Sequence, residues 1–69
     1  MTKKERFINF IFIQLGVKLI NDKSNELNNN RNWLYTKVEE KDRIRLLSFL
    51  ANNNIEYEQH LNNWYWIKV

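Results

Sequence analysis

Sixty-nine residues carrying a net charge of +3, with a pI near 9.4, describe one small basic domain with no room for a second core. The absence of cysteine excludes disulfides and thiolate metal sites, and the single His60 cannot build a zinc site alone, so no metal or cofactor is expected. With 43% hydrophobic and 14% aromatic residues, stability is expected from dense apolar packing.

Thr2-Lys3-Lys4-Glu5 reads as a capping box, in which the Thr hydroxyl accepts from the Glu5 N–H and the Glu5 carboxylate reaches back. Phe7, Ile8, Ile11, Phe12 and Leu15 then recur at helical spacing, and Gly16 stands where a helix favours positive φ, predicting a helix over 3–15. Asn9 and Gln14 interrupt the apolar run, which is too short to span a bilayer and lacks a small-residue cleavage site. It is therefore expected to be a segment of a folded domain rather than a signal peptide. Phe10 and Ile13 lie off the stripe and are expected against the second helix.

Val17 to Ile20 alternates like a short strand, and Asn21 to Arg31 is a polar, Asn-rich loop. Asn32 to Val38, β-branched and aromatic, predicts a second strand. The order then recurs. Glu39, Glu40 and Asp42 favour a helix N-terminus; Ile44, Leu47 and Ala51 form its stripe, widened by Leu46, Phe49 and Leu50; Asn52-Asn53-Asn54 supplies a left-handed stop. Ile55 to Gln59 predicts a strand, His60 to Asn63 a turn, and Trp64 to Val69 a final strand. Asn32-Trp33-x-x-x-Lys37-Val38 matches Asn63-Trp64-x-x-x-Lys68-Val69 at four of seven positions, which suggests an αββ duplication with repeats at about 3–38 and 39–69.

Two αββ units make an α+β two-layer sandwich, a four-stranded antiparallel sheet with two helices on one face. The element order resembles a circularly permuted ferredoxin-like fold. It is also similar to that of LAGLIDADG homing endonucleases, which place a metal-binding acidic residue at the end of the first helix. Leu15-Gly16-Val17 occupies that stretch here, so the resemblance implies no metal-dependent cleavage. Catalysis is not expected: there is no cysteine nucleophile, no histidine pair and no glycine-rich phosphate loop.

Alternation places Val17, Leu19, Leu34, Val38, Ile55, Tyr57, Tyr65, Ile67 and Val69 under the helices. The opposite face would carry Lys18, Ile20, Trp33, Tyr35, Lys37, Glu56, Glu58, Trp64, Trp66 and Lys68. Open aromatic faces of this kind serve as binding surfaces, which makes Trp33, Tyr35, Lys37, Trp64, Trp66 and Lys68 the candidate partner-binding residues. The remaining cations, Lys3, Lys4, Arg6, Arg31, Arg43 and Arg45, are expected on solvated faces.

Mixed Lys/Glu and Trp/Tyr chemistry favours a protein partner, with no membrane and with the chain a monomer or weak homodimer. The alternative is a single-stranded RNA or DNA module that stacks bases on the aromatic/lysine face, against which Glu56 and Glu58 would repel phosphate. The abundance of Asn, Ile and Lys fits a low-GC genome. A chain this small resembles phage or mobile-element accessory proteins, whose expected role is to block a host protein complex such as CRISPR or restriction machinery, in the host cytoplasm.

Overall fold

The computed structural model describes residues 2–21 and 32–69, so the predicted Asn-rich loop lies, beyond Asn21, outside the described residues. Its elements run α1 (Lys3–Leu15), β1 (Ile20–Asn21), β2 (Leu34–Lys37), α2 (Glu40–Asn52), β3 (Tyr57–Leu61) and β4 (Trp64–Ile67). The strands form one antiparallel sheet in the order β1-β2-β4-β3, and both helices pack on one face of it. The two αββ halves thus place β2 and β4 at the centre and β1 and β3 at the edges.

Local chemistry accounts for the helix ends. Both bonds of the Thr2–Glu5 capping box are present, at 3.0 and 3.1 Å. Gly16 closes α1 at φ 67°, donating its N–H to the Phe12 carbonyl. At the end of α2, Asn54 takes φ 56°, its N–H bonds to the Ala51 carbonyl and the Ile55 N–H bonds to the Leu50 carbonyl. Those two bonds and the left-handed residue make a Schellman cap. Because the Ile55 N–H is used there, β3 begins two residues later than the alternation predicts.

At the other edge, β1 is shorter than the predicted Val17–Ile20. Ile20 pairs with Lys37, so Lys18 would fall opposite Glu39, which is already the N-cap of α2. Val17 and Leu19 are buried and, among the described residues, have no ladder partner.

Ile11 from α1, Leu46 and Leu50 from α2, and Val17, Leu19, Leu34, Val38, Tyr65 and Ile67 from the sheet side form the core. Tyr57 departs from the predicted inward set: at the β3 edge it is 39% exposed, reaching Tyr65 edge-on at 6.3 Å. Ile55 and Val69 are half-buried.

The buried face of α2 is also rotated from prediction. Asp42, Leu46 and Leu50 point inward, while Ile44 is 72% exposed and Ala51 faces solvent. Asp42 tolerates burial because it sits in the positive first turn of the helix, with Arg45 3.9 Å away. On α1, Phe12 is exposed rather than part of the stripe. Phe10 meets Phe49 of α2 at 6.0 Å as expected, whereas Ile13 stands in solvent.

Arg43 and Arg45 are more engaged than solvated cations would be. Arg45 donates to the Leu15 carbonyl at 2.8 Å, putting a cation on the negative end of α1 and tying the two helices together. The Arg43 Nε and the Tyr65 hydroxyl are enclosed, each without a hydrogen-bond partner of good geometry. Even so, the Tyr65 hydroxyl first, and Glu40 second, hold the Arg43 guanidinium further toward its charged form.

Candidate functional site: the outer sheet face and its edge

The face away from the helices is built by the β2–β4 register. Tyr35 opposes Trp66, and Lys37 opposes Trp64. The Val38 N–H bonds to the Asn63 carbonyl, which makes Thr36–Tyr65 and Leu34–Ile67 the hydrogen-bonded pairs. Tyr35–Trp66 is then a non-hydrogen-bonded pair, the kind that brings side chains closest. Their ring centroids lie 4.3 Å apart, and Tyr35 also stacks on Trp64 at 4.9 Å with an interplanar angle of 16°.

From there Tyr35 reaches across β4 to β3. Its hydroxyl is hydrogen-bonded to His60 Nδ1 at 2.7 Å, and the two rings meet edge-on at 5.4 Å. A bulge between Gln59 and Leu61 makes that reach possible. Leu61 pairs with Trp64, so the extra residue brings His60 and Leu61 to the same outer face in succession. The two-residue turn Asn62-Asn63 closes the hairpin, with Asn63 at φ 64°.

The six candidate residues therefore separate. Tyr35 and Trp66, expected to be open, are 1% and 4% exposed, with the Tyr35 ring packed against those of both Trp64 and Trp66. Trp33 and Trp64 are half-buried. Lys37 and Lys68 are exposed, and Lys68 lies 3.8 Å from Glu56. The face that alternation identifies is thus largely a packed aromatic layer rather than an open one.

Exposure is concentrated one strand further out. Every residue of β3, from Tyr57 to Leu61, is exposed, with Leu61 at 58%. Among the described residues, no strand pairs with the far side of β3. The Lys68 N–H bonds to the Glu56 carbonyl, so Glu56 and Glu58 turn their backbone groups toward β4, while Tyr57 and Gln59 turn theirs away. At the turn end of this edge, Gln59, His60, Leu61, Asn62 and Trp64 line an open recess of about 610 Å³.

The sequence predicts a turn over His60 to Asn63, so His60 and Leu61 lie outside the six candidate residues. The signal that could have found them is Asn62-Asn63 as a two-residue hairpin turn, which assigns both preceding residues to a strand.

Among the described residues, no three carboxylate or imidazole side chains are grouped to hold a metal ion, and no helix is long and apolar enough to cross a membrane. Comparison with protein-family models, with curated proteins and with solved structures finds no match to this chain.

Proposed function

We propose that the protein is a non-enzymatic binding module that docks another protein through the edge of β3. The observation carrying this reading is a five-residue edge strand, exposed along its length, whose Tyr57 and Gln59 backbone groups face outward. An extended partner segment would satisfy those groups by adding a strand, and pockets beside the edge would select its side chains. Leu61 and Trp64 supply such a pocket, held rigid from behind by Tyr35 and its bond to His60.

In this reading Trp64, with Lys37 opposite it on β2, makes contact, while Tyr35 and Trp66 act as the buried base. A stacking platform for single-stranded nucleic acid is less well supported, because bases need free ring faces and Tyr35 and Trp66 have none. A target within a host protein complex, met in the cytoplasm, is the finer form of the proposal and rests on composition alone.

The test is selection of extended peptides from a random display library on the immobilised protein, followed by synthesis of an enriched peptide. Gln59→Pro removes only an outward N–H, so it is expected to keep the fold by circular dichroism. It should weaken the peptide by about three- to tenfold, the scale of losing one main-chain hydrogen bond. Unchanged affinity in a folded Gln59→Pro variant would overturn the reading. So would tryptophan quenching by oligo(dT) with no peptide enriched.

A further inference from the structure

A second recess lies at the opposite end of the sheet from the β3–β4 turn. The first turns of α1 stand beside the approach to β3 and the end of β4, bordering an open, shallow recess of about 360 Å³. Phe7 and Phe10 of α1, with Ile55 and Val69, supply its apolar surface. Phe10 remains 46% exposed there even though its ring meets Phe49.

Around that surface stand Lys3, Arg6 and Lys68. Lys3 and Arg6 are exposed and form no ion pair with any described residue. Lys68 faces Glu56 at 3.8 Å, but both side chains are well solvated, so that contact is weak and easily exchanged for another carboxylate. The nearby Glu5 carboxylate is engaged in the capping box.

An apolar floor cannot satisfy a polar ligand, and three cations at its margin favour negative charge. The volume is near the lower end of ligand pockets, which run to about 300–1,000 Å³, so it admits one or two side chains rather than a long ligand. We infer that this recess docks an acidic segment of a partner protein, in which a large apolar side chain is flanked by carboxylates. A nucleic acid suits it less well, because polar base edges would find no hydrogen-bond partner on the apolar floor. The recess shares no lining residue with the one at Leu61 and Trp64, so this inference stands apart from the edge-strand reading.

The probe is a fluorescein-labelled Asp-Glu-Leu-Phe-Glu-Asp peptide, followed by anisotropy at low and moderate salt. Saturable, salt-sensitive binding is expected, weakened about tenfold by Arg6→Glu, as removal and reversal of a rim charge would do. Phe10→Ser should weaken it as well, whereas Gln59→Pro should leave it unchanged. Arg6→Glu is exposed and places an acid early in α1, so the helix should persist by circular dichroism. The inference is overturned by absence of saturable binding or by equal affinity in Arg6→Glu. It is also overturned if a Gly-Gly-centred peptide binds as tightly, or if oligo(dT) displaces the peptide at lower concentration.

Discussion

Removing Trp66 should unfold the domain, whereas removing Trp64 should only weaken it. Trp66 is 4% exposed, packed on Tyr35 at 4.3 Å and held in the central strand between β2 and β3. A buried tryptophan hides roughly 150–250 Å², worth about 4–6 kcal/mol at about 25 cal/mol per Å². Large-to-small aromatic truncations in cores cost about 3–5 kcal/mol. A core in a chain of this length supplies only about 3–5 kcal/mol in total. Trp66→Ala therefore removes the whole margin, and its thermal and urea transitions should lose cooperativity in both near- and far-ultraviolet circular dichroism.

Trp64 is half-buried and stacks on Tyr35 from one side, so Trp64→Ala should cost about 2 kcal/mol and leave a cooperative transition at lower temperature. A Trp66→Ala variant that melts cooperatively within a few degrees of the parent would refute the reasoning. So would a Trp64→Ala variant that is equally damaged.

Two further substitutions probe the helix layer. A Cβ added at Gly16 meets nothing within 4 Å, yet φ is 67°, so Gly16→Ala should cost about 1–2 kcal/mol from backbone conformation alone. Its melting temperature should fall by several degrees, while Gly16→Asn, which tolerates that conformation, should fall less. Arg45→Met, which keeps the length but deletes the bond to the Leu15 carbonyl, should cost about 0.5–1.5 kcal/mol, with the difference from the parent shrinking as salt is raised.

The parts of the fold legible in the sequence are those set by near neighbours. Thr2 and Glu5, Gly16, and the Asn run after α2 each act within a few residues, and α1 begins and ends where they direct. Strand alternation likewise assigned Leu34, Tyr65 and Ile67 to the core. Features that depend on distant pairing were less visible. Two overlapping stripes run along α2, and the more apolar one, through Ile44, lost to the one through Asp42 because Arg45 and the helix terminus compensate that carboxylate.

Alternation also placed Tyr35 and Trp66 on the outer face, but only the β2–β4 register shows that the two rings cover each other. Of the candidate binding residues, the sequence thus indicated the face. It did not indicate the shift of exposure to β3, which follows from the Ile55 cap and the bulge beside His60.

The placement of β4 between β2 and β3 also gives the molecule a direction. The strand written last in the sequence holds both the preceding half and its own hairpin partner, while α1, at the other end, is attached through side chains and the Arg45 bond. A machine that threads the protein from the β4 side must break two ladders at once, after which, among the described residues, the two-residue β1–β2 pairing is what remains of the sheet. Threading from the N-terminal side would instead peel away a helix first. Resistance to forced unravelling is therefore asymmetric, greatest at entry from the β4 end and collapsing in one step once that strand yields.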